Sequence, residues 1–258
     1  MTEDLPVTNE PRTKYRTICI SDIHLGAPES KVALLDNFLK HHACDKLFLV
    51  GDIIDGWKIK QNKWYWTQIH TNVVRRVLNY SKRGTDVTYV TGNHDEFVRP
   101  FVDQITFGSI RICDNATHVD ATGKTFYVVH GDMFDNALRL APWISMLGDR
   151  MYDVVLWLNT KFNWLRHKLG FGYWSLSKFL KHQVKKAVMY VTSFEDSMVS
   201  FCKRKGYDGI ICGHIHTPEI KTVDNIIYMN DGDWVETCSA LVEHFDGTWE
   251  IIYWKMKT

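Results

Sequence analysis

The chain has 258 residues, of which 45% are hydrophobic and 24% are charged, and its formal net charge is +1. This composition is that of an ordinary soluble globular protein, and the near-neutral total excludes a strong overall attraction to nucleic acid or to an anionic membrane. Residues 1–14 lack the apolar stretch of a signal peptide, and no run of eighteen apolar residues occurs anywhere. We therefore expect a cytoplasmic protein with a disordered tail at residues 1–14.

The cysteines indicate a reducing compartment. There are six, they are scattered, and none forms a CxxC pair. Most lie inside apolar runs, which is typical of buried thiols, and we assign Cys212 to the core for this reason.

Short apolar runs bounded by turn residues predict five buried strands. Helical patterns at residues 31–42 and 64–83 lie between the first three, an alternation typical of α/β proteins. Residues 219–255 instead predict antiparallel strands with Asp-Asn and Asp-Gly turns. We expect an α/β fold of two packed sheets flanked by helices. The five predicted strands are residues 16–22, 46–52, 86–95, 124–132 and 208–216.

Each of these five strands ends in a polar cluster, and the clusters read SDIH, GDIID, GNHD, HGD and GHIH. Ligand sites in α/β sheets form beyond the carboxyl ends of the strands, so five clusters there predict one convergent site. In the last cluster, ICGHIHTP, two histidines one residue apart would face opposite sides of a regular strand. We expect the strand to give way to a loop at Gly213, so that both histidines can serve the site.

The candidate ligands are carboxylates, an amide oxygen and imidazoles, without a thiolate. This set suits Mn²⁺, Fe²⁺ or Zn²⁺ and argues against a closed structural zinc site. Seven groups are too many for one such ion and suit two, with one carboxylate bridging both. The candidates are Asp22, His24, Asp52, Asn93, His130, His214 and His216.

The five clusters, in this order, resemble the signature of the calcineurin-like metallophosphoesterases: DxH, GDxxD, GNHD, HGD and GHxH. The resemblance implies a four-layer α/β/β/α sandwich of two mixed sheets with an inserted helical cap. It implies that Asp55, Asp95 and Asp132 orient the metal ligands and do not bind the ions themselves. It also implies that Asp22, His24 and His216 hold one metal ion, that Asn93, His130 and His214 hold the other, and that Asp52 bridges them.

Two such ions would clamp a phosphoryl group and lower the pKa of a bridging water toward ~7, which supplies a hydroxide that attacks phosphorus in line with the leaving oxygen. Asn93 and the metal ions would stabilise the charge of the transition state. His94 is the candidate for protonating the leaving group or stabilising that charge. We therefore expect Asp52, Asn93 and His94 to be catalytic, and Asn93, His94 and His214 to contact substrate.

A long insertion separates His130 from His214, and we expect it to form a helical cap at residues 133–205 between core segments 15–132 and 206–258. Residues 154–194 contain no Asp or Glu, seven Lys or Arg, and many aromatic residues. This pattern indicates a substrate with acyl chains and phosphate, with Lys185 and Lys186 as candidate phosphate contacts. Basic amphipathic helices also gain roughly 1 kcal/mol per basic residue near anionic lipids, so we expect peripheral membrane association. Ordinary core packing of the aromatics and a solvated lysine face are the alternative.

The length, the inserted cap and the sequence GDWVE at residues 232–236 resemble the UDP-2,3-diacylglucosamine diphosphatases of bacterial lipid A synthesis. That resemblance implies Mn²⁺-dependent hydrolysis of the substrate pyrophosphate to UMP and 2,3-diacylglucosamine 1-phosphate at the inner face of the cytoplasmic membrane. The chain departs from this subfamily at His94, where an arginine is usual. An arginine holds phosphate bidentately and a histidine cannot, so a related lipid-linked nucleotide stays open as the substrate.

Two other functions compete with this one. A soluble phosphodiesterase or phosphomonoesterase would act on nucleotides or another small phosphate ester; we expect no nucleic-acid partner. A metal-free interaction scaffold is disfavoured because no ligand of the signature is missing. Trp57 and the aromatic residues 64–66 either wall the cleft or pack along a helix.

Overall fold

The structure is a computed structural model, and it describes residues 12–102, 109–134 and 176–255. The side chains of residues 176–190 are not part of the description. Residues 1–11 of the predicted tail and most of the predicted cap therefore lie outside the described residues, whereas Thr13 and Lys14 belong to the first strand and are not a disordered tail. The chain divides into two compact units, one formed by Met1–Asp132 with Met198–Thr258 and the other by Met133–Ser197.

The first sheet has six strands in the order β11-β10-β1-β2-β3-β4. The strands β1 to β4 run parallel, while β10 is antiparallel to β1 and β11 is antiparallel to β10. The sheet is therefore mixed. Its strands are β1 (Thr13–Ile20), β2 (His42–Val50), β3 (Asp86–Val90), β4 (Arg111–Cys113), β10 (Ser239–Glu243) and β11 (Trp249–Tyr253).

The second sheet has five strands in the order β5-β6-β7-β9-β8 and is also mixed. The central strands β6, β7 and β9 are parallel, and the edge strands β5 and β8 are antiparallel to their neighbours. The short strands β4 and β5 were not predicted, because neither lies in a longer run of apolar residues. The strands of this sheet are β5 (Ala116–Val119), β6 (Thr125–Val128), β7 (Gly209–Cys212), β8 (Glu219–Val223) and β9 (Ile226–Asn230).

Four α-helices lie in the described residues, together with short 3₁₀ helices at Glu96–Phe101 and Asp132–Phe134. The first and third α-helices pack against each other and cover the outer face of the first sheet. Near the end of the fourth, Phe201 packs against Tyr127 of β6 with ring centroids 4.8 Å apart. The α-helices are α1 (Val32–His41), α2 (Gly56–Lys60), α3 (Gln68–Lys82) and α4 (Leu176–Lys205).

The predicted helix at residues 64–83 is wrong at its start. Helix α3 begins only after Thr67, whose side chain and backbone form a reciprocal capping pair with His70. The preceding Trp64 and Trp66 stack on each other with centroids 5.0 Å apart, and both are partly exposed. Trp66 contacts the first turn of α3, where its Nε1–H donates to the Thr71 hydroxyl at 3.0 Å, so these aromatic residues precede the helix and do not form part of its face.

Two apolar layers form the core, one on each face of the first sheet. Ile18 and Ile20 of β1 pack with Leu35 and Phe38 of α1, whereas the intervening Cys19 packs toward the second sheet. This alternation is the period of two that a strand imposes. The predicted α/β fold with two mixed sheets is confirmed. All six cysteines are buried and free of disulfides, as predicted.

No α-helix in the described part of the chain is both long and apolar enough to cross a membrane.

Candidate metal centre

The five predicted clusters follow the ends of β1, β2, β3, β6 and β7, where the loops are joined by backbone hydrogen bonds. The backbone N–H groups of Asp22 and His24 donate to the carbonyls of Gly51 (3.0 Å) and Asp52 (2.9 Å). The N–H of Gly213 donates to the carbonyl of His130 at 3.1 Å. The backbone N–H of His214 donates to Oδ2 of Asp22 at 2.9 Å, so loops from the two sheets also meet.

An unusual backbone conformation is concentrated at these loops. Nine non-glycine residues in the described part of the chain have a left-handed φ, and five of them are candidate ligands. For such residues this conformation costs on the order of 1 kcal/mol each, and strain of this kind clusters at functional sites. Strand β7 ends at Cys212, so His214 and His216 both lie in the loop, as expected. The five φ values are 48° for Asp22, 50° for His24, 52° for Asp52, 70° for His214 and 52° for His216.

The two oxygens of the buried Asp22 carboxylate have different surroundings. Oδ2 accepts hydrogen bonds from the Ser21 hydroxyl (2.6 Å) and the backbone N–H of His214 (2.9 Å). Oδ1 lies 3.1 Å from Nε2 of His216 and 3.8 Å from Nε2 of His24. One oxygen is therefore fixed by the fold, while the other shares a group of three potential metal ligands with two imidazoles.

Asp52 lies between histidines from both predicted ligand sets. Its Oδ1 accepts a 2.8 Å hydrogen bond from the backbone N–H of His94. Its Oδ2 lies 3.3 Å from Nε2 of His130 and 3.9 Å from Nε2 of His24. Asp22, Asp52 and His130 each offer a ligand atom within 4.8 Å of the others. A single carboxylate in this position can reach two cations.

Two buried polar atoms at this place have no hydrogen-bond partner among the described residues: Oδ1 of Asn93 and Nε2 of His130. Nδ1 of His130 is bonded to the carbonyl of Val50 at 2.9 Å, so it carries the ring proton and leaves the Nε2 lone pair available. The ring of His214 lies 5.0 Å from that of His130. An unsatisfied buried polar group costs about 1–3 kcal/mol, and a bound cation would satisfy both. The residues present therefore fit a divalent metal ion.

The electrostatics of the cluster also favour cations. Burial opposes the ionisation of these groups, yet Asp22 and Asp55 raise the pKa of His24 to about 10. Burial is likewise outweighed at Asp52, where His130 lowers the carboxyl pKa to about 2. The carboxylates thus stay ionised and demand positive charge nearby. Divalent cations can take the place of the protons that the imidazoles otherwise hold.

Asp55 and Trp57 hold the side chain of His94. Oδ1 of Asp55 lies 3.1 Å from Nδ1 of His94, and its Oδ2 lies 3.6 Å from Nδ1 of His24. The ring of Trp57 stacks on that of His94 with centroids 3.8 Å apart. His24, Asp55 and His94 form a third group with potential ligand atoms, which the sequence did not suggest.

Asp95 and Asp132, the other two carboxylates predicted to orient the ligands, contact backbone N–H groups and an arginine. Asp95 accepts hydrogen bonds from the backbone N–H groups of Ile53 (3.0 Å) and Ile54 (2.8 Å), so it holds the loop after Asp52. Burial and the charge of Asp52 raise the pKa of Asp95 to about 6. Asp132 pairs with Arg99 at 2.6 Å.

A residue that the sequence motifs did not reveal is Asp231, which lies just after β9. The Ser21 hydroxyl is 2.6 Å from both Oδ1 of Asp231 and Oδ2 of Asp22, and it can donate to only one of them. Burial, together with the nearby Asp22 charge, raises the pKa of Asp231 well above its usual value. The Ser21 hydroxyl thus lies between Asp231 and the carboxylate of Asp22.

The predicted substrate contacts Lys185 and Lys186 lie on α4, in the part of the helix whose side chains are not described. Their relation to the cluster is therefore still a prediction.

Comparisons with known proteins bear on this cluster. The profile of the calcineurin-like phosphoesterase family matches residues 15–218. A UDP-2,3-diacylglucosamine hydrolase from Neisseria meningitidis serogroup B is 26% identical over 224 residues, which cover 83% of this chain and 88% of that protein. One from Vibrio cholerae serotype O1 is 24% identical over 243 residues, covering 88% and 93%.

Among solved structures, an archaeal phosphodiesterase aligns with 92% of this chain and 98% of its own at 12% identity, with a TM-score of 0.43. The family match covers most of the sequence and includes all five strand-end clusters. The chain therefore belongs to the calcineurin-like phosphoesterase family and is a hydrolase of phosphate ester or anhydride bonds.

Proposed function

We propose that the protein is a dinuclear metal-dependent hydrolase that cleaves the pyrophosphate of UDP-2,3-diacylglucosamine, or of a related lipid-linked nucleotide, to UMP and a lipid sugar phosphate. The observation that carries the metal chemistry is the position of Asp52, whose Oδ2 lies within 4 Å of imidazoles from both predicted ligand sets. The substrate rests on the relatives of that name, which align over most of both chains at about a quarter identity.

Seven residues are proposed to hold the two ions, which we take to be Mn²⁺ in the native protein, with Fe²⁺ or Zn²⁺ as alternatives. When bound, such ions neutralise phosphate oxygens and acidify water, which supplies a nucleophile at neutral pH. Asp52 is proposed to bridge them. Asp22, His24 and His216 would hold one ion, and Asn93, His130 and His214 would hold the other.

His94 is proposed to deliver the proton to the leaving oxygen. Its Nδ1 is engaged by Asp55, so Nε2 is the atom left to meet substrate. The side chain of His94 is 18% exposed, so substrate can reach it, whereas that of His130 is fully buried. The stack on Trp57 limits rotation of the imidazole and keeps Nε2 in place. The amide of Asn93 would contact the same phosphate.

Lipid recognition is proposed for residues 154–194, where basic and aromatic residues alternate without a single acid. Lys185 and Lys186 would contact a substrate phosphate. The same segment would bring the protein to the inner face of the cytoplasmic membrane as a peripheral protein. The composition of the segment supports this assignment. Most of the segment lies outside the described residues.

A direct test measures Mn²⁺-dependent release of UMP from UDP-2,3-diacylglucosamine by the full chain in mixed micelles. We expect turnover by the wild type and by Asp86→Asn, an exposed carboxylate at the start of β3, and none by Asp52→Ala. An absence of turnover, together with hydrolysis of bis(p-nitrophenyl) phosphate, would overturn the lipid assignment while leaving the phosphoesterase intact.

A soluble phosphodiesterase or phosphomonoesterase is the second candidate, and His94 is the observation in its favour. This residue stands where the resembling lipid enzymes usually carry arginine, and it is held by two neighbours rather than free to chelate phosphate. If this function is correct, detergent micelles will not raise the activity.

A further inference from the structure

A second candidate site lies at the amino-terminal ends of the strands of the first sheet, opposite the metal centre at their carboxyl ends. A cavity of about 460 Å³ opens beside the first residues of β1 and β2 and the end of α3, with Lys14, Asp45 and Arg83 among its lining residues. The candidate ligands follow the other ends of the same strands, after Ile20 and Val50. At ~3.3 Å per strand residue, roughly 20 Å separates the two sites.

Among the described residues, positive charges outnumber negative ones in the lining of this cavity. Lys14 is paired with Asp45 at 2.8 Å, so these two charges cancel. Within the described ranges, the guanidinium groups of Arg12 and Arg83 have no acidic partner. The described side chains that line the cavity therefore leave two net positive charges.

The lining hydroxyl groups are already occupied. The Tyr80 hydroxyl is hydrogen-bonded to the carbonyls of His42 (2.5 Å) and Leu39 (3.1 Å), and the Thr85 hydroxyl donates to the carbonyl of Cys44 at 2.9 Å. Burial, with the nearby Arg83 and Arg76, lowers the pKa of Arg12. An anion placed between the two guanidinium groups would relieve this repulsion.

We propose that this cavity binds the phosphate group of a small soluble molecule through Arg12 and Arg83. Guanidinium groups bind phosphate bidentately and stay charged at all physiological pH values. The cavity volume lies within the range of small-molecule sites, roughly 300–1,000 Å³. The charges line the wall of a cavity, which fits one phosphorylated molecule. Binding to a membrane surface would instead favour protruding apolar side chains.

The site is independent of the proposed function, because none of its residues belongs to the metal centre. Binding is tested by calorimetry with inorganic pyrophosphate on the full chain carrying Asp52→Ala, which disables the metal centre. We expect one binding event in this background. Addition of Arg12→Ala and Arg83→Ala should weaken it by at least about tenfold, because two charge-assisted hydrogen bonds are lost.

The matched control is Arg111→Ala with Lys124→Ala, which removes the same charge from exposed positions away from the cavity. This control should change the Kd by less than about twofold. Arg83→Ala alone, at an exposed side chain, should weaken binding severalfold. Equal Kd values for the two double variants would overturn the proposal.

A second arm separates the possible sources of phosphate. Sedimentation with phosphatidylcholine vesicles, with or without phosphatidic acid, reports on lipid headgroups. Loss of pyrophosphate binding in the Arg12→Ala and Arg83→Ala variant, without a change in vesicle binding, supports the soluble ligand. Loss of vesicle binding alone would overturn it in favour of a lipid headgroup.

Discussion

Oδ1 of Asp52 accepts a hydrogen bond from the backbone N–H of His94, and this bond joins the loop after β2 to the loop after β3. Only Oδ2 is then left to face the imidazoles of His24 and His130. Gly92 makes the approach possible, since a Cβ at that position would lie 2.2 Å from Oδ1 of Asp52. The orientation of the carboxylate is thus determined by the neighbouring motif.

Asp52→Asn should retain the fold and lose the metal. The amide oxygen can still accept the hydrogen bond from His94, but a neutral NH₂ group then faces His130 in place of a carboxylate oxygen. We expect hydrolysis to fall by at least ~100-fold and the bound metal to drop, as measured by elemental analysis of the purified protein. Asp86→Asn is the control, and a fully loaded, active Asp52→Asn would contradict the bridging role.

His94→Gln should lower kcat without removing the metal. The proposed role is proton delivery from Nε2, and loss of a general acid typically costs 10²–10⁴-fold. Metal content should stay at the wild-type value, because His94 is outside the proposed ligand set. If the variant instead loses an ion, the group formed by His24, Asp55 and His94 binds metal and the ligand assignment is wrong.

Gly213→Ala should damage the metal centre through packing. A Cβ at Gly213 would lie 2.1 Å from Oγ of Ser21 and 2.5 Å from Oδ2 of Asp22, so both must move. Overpacking of this kind costs about 1–3 kcal/mol, and chemical denaturation should detect this loss of stability. The displaced Asp22 should also bind metal less tightly.

Gly123→Ala is the comparison for this variant, because its Cβ would meet nothing within 4 Å, so the stability that it loses comes from its φ of +91°, which alanine rarely adopts. It should lose some stability and no metal. Equal metal loss in both variants would show that contact with Asp22 is not the cause.

Glu243 joins the two sheets and should make stability depend on pH. The buried carboxylate of β10 accepts hydrogen bonds from Thr17 (2.6 Å) and from the backbone N–H of Ala121 (2.7 Å), and lies 2.8 Å from Nε2 of His118 on β5. Burial opposes its ionisation, but these partners lower the pKa of Glu243 from 4.5 to about 2.

A depressed carboxyl pKa stabilises the fold above the unfolded value of 4.5, and this contribution is lost as the pH falls toward 2. A shift of this size corresponds to on the order of 3 kcal/mol. Urea denaturation between these pH values should show the loss in the wild type and a flatter profile in Glu243→Gln. An identical pH profile for the two proteins would contradict the assignment.

Metal removal should lower stability as well as activity. The cluster holds Asp22 and Asp52 close together, and bound cations would offset their repulsion in the folded state only. Dialysis against a chelator should therefore lower Tm, and Mn²⁺ should restore it. The Asp52→Ala variant should show little change in Tm on chelation.

The sequence alone predicted the α/β class, the two sheets and the polar clusters that the fold brings close together. Apolar runs with a polar cluster at each carboxyl end predict both the strands and a shared site, because parallel strands direct those ends to one edge. Asp22, Asp52 and His130 are brought together as expected. The loop at Gly213 was also predictable, since two histidines one residue apart cannot serve one site from a regular strand.

Only the tertiary structure decided which contacts surround these residues. The stack of Trp57 on His94, the chain from Asp231 through Ser21 to Asp22, and the pairing of His118 with Glu243 join residues far apart in sequence or outside any motif. The fold likewise brings Arg12 and Arg83, which are far apart in sequence, to the lining of one cavity. Local patterns record periodicity and turns, whereas these contacts depend on how separate strands and helices pack, which no local pattern encodes.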